Sequence, residues 1–140
     1  MFDELNKYKR TGHFIFRSTD NLAAVCNAPK GCSGLYIVYA LKNGSIQLIY
    51  IGISGRKGSD GKIKHRLDGL RGRFLTGKQF GELRKISWPK QMKVEKIEAL
   101  DIYWYVTYDE AYNDFPNELE DKLLEKHKSI YGKLPEWNKR

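Results

Sequence analysis

Residues 34–53 carry a hairpin that leaves the rest of the chain few options. Gly34-Leu35-Tyr36-Ile37-Val38-Tyr39-Ala40 and Leu48-Ile49-Tyr50-Ile51-Gly52-Ile53 are rich in β-branched and aromatic residues, which suit a pleated, buried surface. Between them lies Lys42-Asn43-Gly44-Ser45. An Asn-Gly pair accepts positive φ at both central positions of a type I′ turn, the turn that matches the twist of two antiparallel strands. A hairpin this apolar is not stable alone and must be covered by further strands or helices.

The remaining segments predict that cover. Ser54 to Gly61 reads as a loop with three glycines and the basic pair Arg56-Lys57. A helix is expected over about Lys62 to Arg71. A second is expected over Ser87 to Ala99, with Ser87 as its cap and Pro89 in its first turn. Leu100 to Tyr108 reads as a strand, and Asn117 to Tyr131 as a helix ended by Gly132. Upstream, Gly12 to Ser18 alternates weakly, like an edge strand, and Asp20 to Ala28 suggests a short helix stopped by Pro29 and Gly31. The expected fold is α+β: a small mixed or antiparallel three-stranded central sheet flanked by helices, one domain over 34–140, with an N-terminal extension over 1–33.

Charge narrows the function. Lys plus Arg is 25 and Asp plus Glu is 17, a formal net charge of +8 in 140 residues. A small basic domain favours polyanions, with nucleic acid ahead of an anionic membrane surface. No apolar run approaches the roughly 20 residues that span a bilayer. Met1 to Arg10 carries charge throughout and lacks a secretory pattern. Cys26 and Cys32 are too few for a disulfide scaffold and lack zinc-ligand spacing. The expectation is a reduced, cytoplasmic protein. The glycine loop departs from a Walker A sequence, because Gly61-Lys62 is followed by Ile63. It can still offer backbone amides and the cations of Arg56 and Lys57 to a phosphate, or be a plain loop.

Helical geometry singles out two further residues. At about 100° per residue, Leu119, Leu123, Leu124, Ile130 and Tyr131 share one arc, and Glu120 and His127 fall inside it. Glu118, Asp121 and Glu125 fall on the opposite side. A carboxylate turned inward is costly unless paired or bound to a cation, so Glu120 is a candidate metal ligand or catalytic group. Equally, Asn117 and Glu120 have the spacing of a capping box. His127 reads as a satisfied interior histidine. On the expected helix from Lys62, Ile63, Leu67, Leu70 and Phe74 form the core face, with Arg66 at its flank and His65 and Asp68 pointing away. Arg66 either presents its guanidinium to a phosphate or covers the core edge with its stem.

Gly34-Leu35-Tyr36 followed by Tyr50-Ile51-Gly52 resembles the paired signature of the GIY-YIG endonucleases. Arg66-Leu67, Leu119-Glu120-Asp121-Lys122-Leu123-Leu124 and Pro135-Glu136-Trp137-Asn138 follow in the family's order. The resemblance covers roughly Gly34 to Asn138. The first triplet has Leu for Ile, and the triplets stand slightly further apart than usual. The resemblance implies a DNA endonuclease in which Glu120 holds Mg²⁺ (or Mn²⁺) and Arg66 stabilises charge on the phosphate. Tyr36 is the favoured base, Tyr50 positions water or phosphate, and Asn138 supports the site. Several relatives carry a lysine where this chain has Ile53, so Lys57 or Lys62 would have to substitute. Gly72 to Arg84 has no counterpart and is a basic stretch suited to DNA. No membrane partner is implied. The alternatives are a restriction-type enzyme acting as a homodimer on a specific sequence, and a non-catalytic nucleic-acid-binding module.

Overall fold

The computed structural model describes residues 2–139. Met1 and Arg140, the outermost residues of the expected extension and domain, lie outside the described residues. The strands are β1 (Thr11–Phe16), β2 (Ser33–Lys42), β3 (Ser45–Ser54), β4 (Arg56–Lys57), β5 (Ile63–Lys64), β6 (Lys78–Gln79), β7 (Glu82–Leu83) and β8 (Ala99–Tyr108). The helices are α1 (Leu22–Val25), α2 (Gly69–Thr76), α3 (Arg84–Glu95) and α4 (Pro116–Tyr131), preceded by a 3₁₀ turn over Asp3–Lys7. The fold is α+β.

The main sheet has four strands in the order β1-β8-β2-β3, rather than three. Every neighbouring pair is antiparallel. The added strand comes from the N-terminal segment: Phe14 pairs with Ile102 and Phe16 with Leu100. The two inward residues of β1, Phe14 and Phe16, are buried, and this small apolar set is the source of the weak alternation in the sequence. The hairpin of β2 and β3 forms as expected, with Asn43 and Gly44 both at positive φ. A register shift between Val38 and Tyr39 bends the hairpin.

Both faces of the sheet are covered. One face packs Phe16, Tyr36, Val38, Leu100 and Ile102 against Leu70 and Phe74 of α2 and Trp88 and Met92 of α3. The other packs Leu35, Ile37 and Ile51 against Leu119, Leu123 and Leu124 of α4 and Leu5 and Tyr8 of the N-terminal turn. Tyr8 donates a hydrogen bond to Asp114, which Lys7 also pairs. Burial works against the Asp114 carboxylate, yet those two partners hold its pKa below the ordinary value.

Two helices start elsewhere than expected, and the third is less buried at its end. The helix expected from Lys62 begins at Gly69 instead, because Asp68 and Gly69 both take left-handed φ (59° and 55°) and interrupt any helix there. Gly69 also lies against Cys32, where a Cβ would meet the backbone nitrogen at 2.5 Å. Leu67 is consequently 83% exposed rather than core. His65 hydrogen-bonds the buried Ser33 hydroxyl instead of pointing away. The next helix begins at Arg84, before Ser87, so Ser87 is no cap and Pro89 sits in the second turn. There it removes only the donor to the carbonyl of exposed Lys85. In α4, Ile130 and Tyr131 are exposed, since the sheet ends before the helix does.

The N-terminal strand is expected to be integral to stability. Phe16→Ala should cost about 3–5 kcal/mol in urea unfolding. A change below about 1 kcal/mol would mean that β1 contributes little. Because its folded pKa is depressed, Asp114 contributes stability above the unfolded carboxylate range, near pH 4. That contribution is lost as pH falls through the lower, folded value. Asp114→Asn should therefore flatten the acid limb of stability against pH.

Candidate active site

The hairpin register builds the first part of the site. Tyr36 stands opposite Gly52, and Val38 opposite Tyr50, so both tyrosines lie on the face covered by α2 and α3. Their ring centroids are 5.9 Å apart. Gly52 makes room for both: a Cβ there would lie 2.4 Å from Tyr36 Cζ and 2.6 Å from Tyr50 Cε2. Gly34, in the first triplet, is required in the same way, since a Cβ would meet the Tyr105 carbonyl oxygen at 1.8 Å. The glycines of both triplets are therefore packing requirements.

Tyr36 is fully buried, with its ring 4.6 Å from that of Phe74. Its hydroxyl accepts a hydrogen bond of 2.9 Å from Arg84 Nη2. A guanidinium only donates, so the hydroxyl proton of Tyr36 is directed elsewhere. Arg73, on α2, interacts electrostatically with both Tyr36 and Tyr50, while its Nε has no hydrogen-bond partner among the described residues. Burial disfavours its charge, but the two tyrosines outweigh that and hold its pKa above the ordinary arginine value. Tyr50 is raised well above the ordinary tyrosine value, first by Tyr36 and then by burial. Glu120 adds to that rise, while Arg84 and Arg73 oppose it without cancelling it. Tyr50 therefore remains a neutral phenol at neutral pH, suited to donating a hydrogen bond.

Glu120 reaches this group from the other side of the sheet. It is 7% exposed, on the first turns of α4. The capping-box alternative fails: Asn117 lies within the helix, and its side chain accepts from the Lys57 amide. Phe115 is the N-cap residue and makes no side-chain cap. Strand β3 forms one edge of the sheet. Asn138 closes that edge, accepting from the Ile51 amide at 3.0 Å and donating to the Ile51 carbonyl at 2.9 Å. Trp137 extends the pairing through its amide to Ile49.

Arg66 lies just before α2 rather than on a helix. Its guanidinium donates to Thr76 Oγ1 at 3.1 Å and to the Leu67 carbonyl. Its pKa is lowered, first by burial and then by Arg73 and Arg84. Three guanidinium groups thus repel one another here, and an anion placed among them would relieve that repulsion. Lys57 reaches α4, pairing with Glu118 at 3.6 Å and lying over the Phe115 ring. Arg56 and Lys62 are exposed on the β4–β5 hairpin and its connection. His127 is satisfied by the Lys133 carbonyl.

Arg73 and Arg84 were not legible as site residues in the sequence. Arg73 had a signal: on a wheel of about 100° per residue from Lys62 it falls within about 20° of Arg66. Arg84 had none, because the expected second helix began after it.

The donor set suits Mg²⁺ or Mn²⁺. Among the described residues no three His, Cys, Asp or Glu side chains gather as a metal cluster. Mg²⁺ needs none, because it commonly takes one or two carboxylates together with water and substrate phosphate oxygens. Glu120, 7% exposed on α4, is a single carboxylate of the kind such an ion would take.

Gly52→Ala should displace both tyrosine rings and cost about 1–3 kcal/mol in urea unfolding. Unchanged stability together with unchanged tyrosine fluorescence would mean that the rings are not held by this contact. Comparison of the chain with protein-family models, with curated proteins and with solved structures gave no match.

Proposed function

We propose that the protein is a divalent-metal-dependent DNA endonuclease of the GIY-YIG type, hydrolysing phosphodiester bonds with structure selectivity or weak sequence preference. The observation that carries this reading is the tyrosine pair itself: Tyr36 and Tyr50 stand with ring centroids 5.9 Å apart over Gly52, and the Arg84 guanidinium donates to the Tyr36 hydroxyl at 2.9 Å. Phosphodiester hydrolysis asks for a positioned base, cations around the phosphate and a carboxylate for a metal. The excess of guanidinium charge supports an anionic substrate, and the net charge of +8 supports a polyanionic one.

The residue roles follow from the chemistry. Tyr36 is the assigned base: its oxygen, fully buried in this structure, has to be uncovered to meet the attacking water, and it then takes that water's proton as the water oxygen bonds to phosphorus while its own proton passes to solvent. The bond from phosphorus to the leaving 3′ oxygen then breaks, and that oxygen takes a proton from solvent. Arg84 and Arg73 remain beside the Tyr36 oxygen through this cycle. Tyr50, kept neutral, orients the water or a phosphate oxygen by donating its proton in a hydrogen bond. Arg73 is better placed than Arg66 to face charge building on the phosphate, because it meets both tyrosines. Arg66 backs it at longer range. Glu120 would hold the metal ion, which supplies charge neutralisation at the phosphate and at the leaving oxygen. Asn138 keeps the β3 edge in register beside Tyr50.

The test is cleavage of supercoiled plasmid, linear duplex and branched oligonucleotides with Mg²⁺ and with EDTA. Native protein should cut only with the metal. Glu120→Gln and Tyr36→Phe should each lower the rate by roughly 10²–10⁴-fold while DNA binding survives. Arg73→Ala should lose more activity than Arg66→Ala. Binding without cutting in native protein would replace this reading with a non-catalytic nucleic-acid module. Discrete fragments from linear duplex would favour the sequence-specific, dimeric alternative.

A further inference from the structure

Arg84 is a buried cation that packing alone does not explain. It is 0% exposed. Among the described residues it forms no ion pair with a carboxylate. Its Nε has no hydrogen-bond partner. Nη1 donates to the Arg73 carbonyl at 2.8 Å, in the last turn of α2, and Nη2 donates to the Tyr36 hydroxyl at 2.9 Å. The neighbouring chain is shaped around it: a Cβ on Gly77 would lie 2.5 Å from Nη1. A guanidinium without a carboxylate partner is costly to bury. An apolar side chain of similar volume commonly serves stability as well or better. The helix end at Arg73 offsets part of the cost, but it accounts for only one arm of the fork.

We propose that Arg84 is a positioning residue for Tyr36, retained for the reaction rather than for the fold. The proposal rests on the hydrolase reading above. Arg84 ties the tyrosine to α2, so the hydroxyl oxygen accepts from the guanidinium and its position is fixed from the interior side. It also places a fixed positive charge beside that oxygen. The charged and titratable groups facing Tyr36 are Tyr50 from β3, Arg73 from α2, Arg84 from the start of α3 and, at longer range, Arg66. Glu120 acts on Tyr50 from α4. Arg84 is the one of these cations that is fully enclosed, and its hydrogen bonds go to the Arg73 carbonyl and the Tyr36 hydroxyl, so it is argued to act through Tyr36.

The test compares full-length native protein with Arg84→Met, Arg84→Lys, Tyr36→Phe and the double variant Arg84→Met/Tyr36→Phe. Removing Arg84 leaves no carboxylate stranded, so Arg84→Met should melt within a few degrees of native and bind DNA with unchanged Kd. Its single-turnover rate should fall by roughly a hundredfold, as for a misplaced reacting group. Arg84→Lys should keep more activity than Arg84→Met. In the Tyr36→Phe background, Arg84→Met should cost nothing further. Losses that add fully, or a large fall in Tm with unchanged activity per folded molecule, would overturn the proposal.

A readout without DNA separates this proposal from the hydrolase reading. In NMR of isotope-labelled tyrosine, the Tyr36 ring signal, assigned by its loss in Tyr36→Phe, should change position in Arg84→Met and return toward native in Arg84→Lys. An unchanged ring signal overturns the role of Arg84 even if the native protein cuts DNA. A changed signal in a protein that cuts nothing supports the Arg84–Tyr36 contact and overturns the hydrolase reading alone.

Discussion

Strand β2 has no free face, and most of the structure follows from that. Ser33 to Val38 are buried without a break, with α2 and α3 on one side and α4 with the N-terminal turn on the other. A tyrosine in such a strand brings a hydroxyl into the interior, where an unpaired polar group is expensive. Tyr36 therefore needs a donor or acceptor delivered by a neighbouring layer. Arg84 delivers it, and Arg84 in turn needs the carbonyl of Arg73 at the end of α2. One buried hydroxyl thus links β2, α2 and the start of α3. The hairpin β6–β7, which joins α2 to α3, sets the distance across which this link is made.

The electrostatics of the site are those of a place prepared for negative charge. Arg66 is held below its ordinary pKa by burial and by its two arginine neighbours, while Arg73 is held above it by the tyrosines. The two shifts have opposite sign because the groups face different company: cations for Arg66, two ionisable hydroxyls for Arg73. Glu120 lies on α4, which covers the other face of the sheet, and Asn138 closes the β3 edge. An open edge at β3 would expose the Ile51 amide and carbonyl to another strand. The Asn138 side chain satisfies both and leaves the tyrosine face undisturbed.

Where the sequence reading succeeded, the signal was local and redundant. The hairpin had β-branched strands and an Asn-Gly turn. The strand expected over Leu100 to Tyr108 formed, starting one residue earlier at Ala99, the expected end of a helix, and α4 had a strong helical period ended by Gly132. Glu120 was legible as inward for the same reason. Where it failed, a tertiary contact outweighed local preference. The pattern from Lys62 is helical in period, but Asp68 and Gly69 must turn left-handed to lie against Cys32. That single turn takes Arg66 off the helix and puts Leu67 in solvent. Ile130 and Tyr131 share the apolar arc of α4 but extend past the sheet that would have covered them.

Residue pattern alone determined the hairpin, the basic character and the inward direction of Glu120, because turn chemistry, charge and helical period are read along the chain. Only the tertiary structure decided that the N-terminal strand completes the sheet and that Arg73 and Arg84, rather than Arg66 alone, meet the tyrosines. Those contacts join residues distant in sequence, such as Tyr36 and Arg84 or Ile51 and Asn138. Their existence depends on how layers pack across the sheet, which no local period encodes.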